Sequence, residues 1–267
     1  VTVAMLYGLC VGLVLGVTGA GGGILAVPAL VLGMGWQPHA AAPVALLAVG
    51  FSAGLGAVDG LRKNLVRWRA ALVMASLGVA LAPLGARIAQ GLSQAVLMTL
   101  FAAAMFIASG RLLLRRGIGN TPANAISAAE KNCMLNPSTG RLKWTTRCAA
   151  TLACIGSLSG LLTGMLDVGG GFLIVPAFKQ WTDLRMHGIV ATSLLVIALV
   201  SMGAAAIALR MGAQVTPTGF VFIAAAMAGM FVGRKALPKL PGLVLQTGFA
   251  VLSIAVALFL LYRTWFV

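Results

Sequence analysis

The sequence predicts an all-α, polytopic membrane protein built from two tandem repeats, each with a glycine-broken first helix. Of its 267 residues, 60% are hydrophobic and 9% charged, and apolar runs long enough to cross a bilayer recur from one end to the other. Runs such as 95–108 and 251–261 do not alternate, which excludes the strands of a membrane barrel. The stretch GLVLGVTGAGGGILAVPAL (residues 12–30) returns 148 residues later as GLLTGMLDVGGGFLIVPAF (residues 160–178), with ten of nineteen positions identical. The register holds onward through His39/His187, Leu46/Leu194 and Leu47/Leu195.

The elements follow in order. An apolar run over residues 3–17 reads as a transmembrane element rather than a cleaved signal, since no small-residue cleavage site and soluble domain follow it. Glycines at 19 and 21–23 should break the helix, because glycine costs about 1 kcal/mol relative to alanine inside one. Residues 24–34 then form a half-helix, roughly 16 Å long at 1.5 Å per residue, about half the hydrocarbon thickness. Spans follow over 39–58, 70–89 and 93–114. Residues 117–147 are a polar linker with NPSTG as a turn signal, dividing the chain into a first repeat (1–116) and a second (148–267). The second half repeats the plan: a run over 148–166, a break at 167–171, a half-helix over 172–181, and spans over 187–209, from 218 to 231 and beyond, and over 243–262.

The 19 Lys and Arg residues weigh two topologies. If each broken segment crosses once, giving eight spans, the bases divide 13 to 6 between the two faces. If each goes in and returns, they divide 16 to 3, with only Arg87, Arg210 and Arg263 on the minority face. The second arrangement obeys the positive-inside rule better and makes the repeats antiparallel, as in many secondary transporters.

The same loop placement explains the formal net charge of +15 without nucleic acid as a partner. Cys10, Cys133, Cys148 and Cys154 have neither CxxC nor zinc-ligand spacing and carry no inference about redox compartment. Enzyme chemistry finds no support. GSLSG (156–160) lacks a serine at its centre, the two histidines are not in HExxH, and no metal cluster or cofactor motif is present.

An irregular backbone within a bilayer is tolerated only where protein or a water-filled cavity satisfies it. Two such breaks at corresponding places point to a transporter's central site. Gly21, Gly22, Gly23 and Gly169, Gly170, Gly171 precede half-helices whose first N–H groups are free and carry the positive dipole end, a ready anion site. The competing reading is that these glycines only allow close helix packing. His39 and His187 begin corresponding spans, either as interfacial histidines or as a pair facing the cavity, where they would act as an anion partner or proton relay. Asp167, beside the second break, could carry a coupling proton or cap the half-helix. Asp59, near Arg62 and Lys63, reads as a helix-end charge.

The glycine motifs GVTGAGGGILAVP (16–28) and GMLDVGGGFLIVP (164–176), followed by a helix containing Ala191, Thr192, Ser193 and Leu194, resemble those of the sulfite exporter TauE/SafE family over essentially the whole chain. The resemblance implies a multi-pass transporter of the bacterial inner membrane that moves sulfite, an organosulfonate or a related small anion. It also implies site hydroxyls at Thr192 and Ser193. The first half departs from that pattern, having Val44 and Ala45 at the equivalent positions. The expected partners are a small anionic substrate, the lipid bilayer, a coupling proton and, as an open point, a second copy of the chain. The alternative reading is a non-transporting membrane subunit or assembly factor, against which the doubled helix break argues.

Overall fold

The computed structural model describes residues 2–19, 21–114, 133, 145–166, 171–182, 186–236 and 242–266. Helices dominate: α1 (Thr2–Thr18), α2 (Gly21–Pro28), α3 (Pro38–Arg62), α4 (Trp68–Gln90), α5 (Gln94–Leu114), α6 (Thr146–Leu166), α7 (Gly171–Trp181), α8 (Met186–Arg210), α9 (Pro217–Ala236) and α10 (Gly242–Phe266). Among the described residues, five segments are long and apolar enough to cross a membrane: Ala40–Arg62, Trp68–Gln90, Thr146–Met165, His187–Arg210 and Pro217–Lys235. Both ends of α3 and α8 are offset by 148 residues, as are the starts of α5 and α10.

The break falls earlier than the glycine count suggested. Gly21, Gly22 and Gly23 are the first turn of α2, and the chain turns just before them, where Gly19 takes φ +73°. Only glycine adopts that conformation readily. Glycines in a first turn lose less than in a helix interior, because the N–H groups there have no intrahelical acceptor in any case. Pro28 lacks a donor, and beyond it the helix widens into a π-helical turn, Ala29–Gly33, which closes where the Met34 and Trp36 N–H groups both donate to the Leu30 carbonyl. Several helices also outrun their expected bounds. The fourth residue of α3 from its end is Asp59, and α9 takes in Arg234 and Lys235.

Helix directions are fixed by where glycines touch their neighbours. A methyl at Gly22 would overlap Leu15, and one at Gly33 would meet the Tyr7 ring. The chain therefore returns along α1 to the end it started from. Gly50 lies against Met202, Gly56 against Leu194 and Gly60 against Ala191, so α3 and α8 are antiparallel. The eight-span arrangement would run them the same way. Gly8, Gly12 and Gly16 meet Phe222, Ala226 and Met230, making α1 and α9 parallel; Gly156, Gly160 and Gly164 meet Met74, Gly78 and Ala82, making α4 and α6 parallel. Each half thus lends its first helix to the other half's partner, and one shared core contains residues of both.

Cys133 and Cys148 form a disulfide that neither spacing nor motif had indicated. The Cys133 N–H also donates to the Trp181 carbonyl at 3.2 Å, which ties the start of α6 to the end of α7. The bounds of the polar linker lie mostly outside the described residues.

Two outcomes are expected. Gly164→Ala drives a methyl into the Ala82 carbonyl and should destabilise the fold by about 1–3 kcal/mol, an overpacking effect. Gly54→Ala, which meets nothing within 4 Å, should stabilise it slightly through helix propensity. Reversible unfolding in mixed micelles measures both. Alkylation of denatured protein should add two adducts before reduction, at Cys10 and Cys154, and four after it; intact-mass spectrometry reads the number.

Candidate functional site

The turn between α1 and α2 sits inside a ring of helix ends. Gly16 packs on Gly233 and on the Arg234 backbone nitrogen, at the end of α9, while Gly19 packs on Val190, near the start of α8. The Ser193 hydroxyl donates to the Gly19 carbonyl at 3.1 Å and to the Val190 carbonyl at 2.9 Å. One residue earlier, the Thr192 hydroxyl donates to the Gly188 carbonyl at 2.7 Å and accepts the Arg67 N–H at 3.1 Å. Gly60, near the end of α3, packs between Ala191 and Val66. The ring closes between α3 and α9, where the Arg234 guanidinium grips Asp59 through Nε at 3.1 Å and Nη2 at 2.8 Å. The Lys63 ammonium holds the same carboxylate at 3.0 Å.

This ring is the basic end of the molecule, bearing Arg62, Lys63, Arg67, Arg69, Arg234 and Lys235. The free N–H groups of Gly21, Gly22 and Gly23 start from it. Gly171 starts α7 from the other end, because Gly85, toward the C-terminal end of α4, packs on Leu161 and Met165 at the end of α6. The two glycine-started helices therefore begin at opposite ends and lie against each other in the interior. Their N-termini do not converge on one point, as a single central anion site would require.

The histidines separate in the same way. His39 and His187 each occupy the second position of their helix, and α3 and α8 are antiparallel, so they stand at opposite ends. His187 is half-buried beside the basic ring. Thr192 and Ser193 are fully buried, and their hydroxyls are committed to backbone partners. The close packing of Gly22 on Leu15 matches the reading in which that glycine is present for space. Asp167, Gly169 and Gly170 lie outside the described residues.

Residues 4–260 match the model of the sulfite exporter TauE/SafE family. The chain belongs to that family. A probable membrane transporter protein of Xylella fastidiosa strain Temecula1 is 28% identical over 259 residues, covering 96% of this chain and 92% of the relative. Its counterpart in strain 9a5c is 28% identical over 258 residues, with the same coverage. The probable membrane transporter protein MamO of Magnetospirillum gryphiswaldense is 25% identical over 269 residues, covering 91% of this chain and 42% of that protein. TauE/SafE membership and five apolar spans make this chain a multi-pass membrane transporter.

Sequence reasoning missed the Asp59–Arg234 pair within this TauE/SafE protein. Arg234 looked like one more positive-inside base at the end of its span. The available signal was Asp59, one of four acids in the chain, placed four residues before Lys63.

Thr192→Val should leave the Arg67 N–H without its acceptor and destabilise the fold by about 1–3 kcal/mol. Thr192→Ser keeps the acceptor and should behave nearly as wild type. Thermal unfolding of the two purified variants in one detergent compares them.

Proposed function

We propose that the chain is a secondary transporter of a small anion, with sulfite, an organosulfonate or a related sulfur oxyanion or carboxylate as substrate. The observation that carries this reading is the pair of returning hairpins, α1–α2 and α6–α7. Each leads to a helix that starts at glycines, and they begin from opposite ends of one core. In this reading the repeats are inverted copies in the inner membrane, and one half rocks against the other to open each end in turn. The antiparallel α3–α8 pair and the one-sided distribution of bases support it.

The anion meets Gly21, Gly22 and Gly23 from the basic end, and Gly169, Gly170 and Gly171 from the other. In this reading the dipole of each glycine-started helix favours negative charge at its start. Such a site holds an anion weakly enough to release it. His187 stands at the basic mouth and His39 at the opposite one, each able to donate to a passing anion. Ser193 holds the turn that presents the first glycines, and Thr192 fixes the Arg67 backbone beside it. Asp167 carries the coupling proton next to the second anion position, so that proton and anion move together.

The test is uptake by proteoliposomes of labelled sulfite, sulfoacetate, sulfate and acetate, with and without an imposed pH gradient. At least one sulfur oxyanion should enter faster than into protein-free vesicles, and the gradient should change its rate. Asp167→Asn keeps an acceptor oxygen but cannot titrate, so it should transport without responding to the gradient. Four fluxes equal to the leak of empty vesicles would overturn the transport reading; a gradient response unchanged in the variant would reduce Asp167 to a cap.

A further inference from the structure

Among the described residues, the basic ring contains more positive charge than its one carboxylate can answer. Arg234 is 7% exposed, yet both of its committed nitrogens fall on one oxygen of Asp59. Its third nitrogen, Nη1, is fully buried with no hydrogen-bond partner among the described residues. Across the same ring, Nε of Arg67 is buried and equally unpartnered. Asp59 faces two cations, Arg234 and Lys63, and is the only acid among the described residues. A buried guanidinium with an idle N–H bears a desolvation cost that an acceptor, from a ligand or a water, offsets.

We propose that Arg234 is an anion-binding residue at the basic mouth of the transport path, and that Asp59 is its resting counter-ion, which a substrate oxyanion displaces. The inference rests on the anion-transport reading above and adds the side chain that recognises the anion. Guanidinium offers a planar fork that takes two oxygens of a sulfonate, sulfite or carboxylate side by side. Nη1 and Nη2 form such an edge, one half of it idle and the other on Asp59. Lys63 makes the exchange affordable. It lies on the same carboxylate from a half-exposed position, 52% against 7% for Arg234, so Asp59 keeps a cation when Arg234 turns to the anion. The place is also right for a mouth: the Arg234 backbone packs on Gly16, one turn before the Gly19 turn that leads into the glycine start of α2.

A purely structural ion pair and an exchangeable one give opposite signs. If the pair only braces α3 against α9, removing either partner weakens the protein and any anion binding with it. If Asp59 competes with substrate, its removal strengthens binding. The experiment is isothermal titration of the full-length protein in detergent with sulfite, sulfoacetate, sulfate and acetate. Arg234→Lys keeps the charge but loses the fork, and its affinity should fall about tenfold. Asp59→Asn should bind the same anion several-fold more tightly than wild type. Should Asp59→Asn fail to fold, Lys63→Gln serves instead: Arg234 is then left as the remaining cation on Asp59, and affinity should fall.

Arg234→Lys binding as tightly as wild type, or Asp59→Asn binding more weakly, overturns the proposal while leaving anion transport intact. Wild type binding none of the four overturns the transport reading as well. A phospholipid headgroup offers the same oxyanion chemistry, so the titration is repeated in phosphatidylcholine nanodiscs with and without phosphatidylglycerol. Unchanged affinity supports a free anion as the occupant. Competition by phosphatidylglycerol assigns Arg234 to a lipid and overturns the substrate role.

Discussion

Backbone contact between helices at glycine is the interaction on which the rest of this structure depends. Lipid tails are as apolar as leucine, so helices in a bilayer gain little from burying side chains and much from close van der Waals contact. Gly8, Gly12 and Gly16 put α1 directly on the carbonyls of α9, and Gly156, Gly160 and Gly164 do the same for α6 on α4. No room is left for a methyl at most of these points. Because α1 and α9 come from different halves, as do α6 and α4, the two halves cannot be pulled apart into independent domains. The hairpin turns follow from the same constraint, since a helix held this tightly to its partner ends where that partner ends. For α1 the partner ends at Ala236, and Gly16, one turn before Gly19, lies against its last turns at Gly233 and Arg234.

The spans were legible because hydrophobicity over twenty residues is a strong signal that packing cannot reverse. Glycines 148 residues apart in the sequence, Gly8, Gly12 and Gly16 in one set and Gly156, Gly160 and Gly164 in the other, all serve helix contacts. The position of the break was not legible. Three glycines in a row read as the weakest point of a helix, yet Gly21, Gly22 and Gly23 form its first turn, and the conformation that makes the turn belongs to Gly19. Propensity ranks residues for a helix interior, and the start of a helix obeys a different rule. Of the two readings of His39 and His187, a pair facing one cavity needs both at the same place, whereas the antiparallel α3 and α8 start from opposite ends.

Arg234 and Asp59 show a second limit. Charge patterning along the chain assigns bases to loops, and it has no means of seeing that a base 175 residues from an acid shares its carboxylate. The disulfide between Cys133 and Cys148 was equally invisible, because cysteine spacing specifies a pairing only when a motif fixes the local geometry. In both cases the missing information was tertiary: which helix ends are gathered at one face. The glycine contacts supply that information and the composition does not.

The Asp59–Arg234 pair has no counterpart at the other end of the molecule. The residue 148 positions after Asp59 is Ile207, and the residue 148 positions before Arg234 is Ala86, so neither equivalent position carries a charge. Glycine packing, by contrast, is nearly the same at both ends. An exchange of roles between inverted halves would therefore preserve the helix contacts and unbalance the electrostatics. The basic end contains a buried arginine joined to a carboxylate, while the equivalent places at the other end hold apolar Ile207 and Ala86. A buried pair deprived of one partner leaves an uncompensated charge, so under the proposed exchange, opening the basic end would be favourable only when something replaces Asp59 at the guanidinium. An anion would do so and a neutral solute would not. Under that proposal, the asymmetry of one ion pair would give the basic end a physical reason to respond to the charge of what it carries.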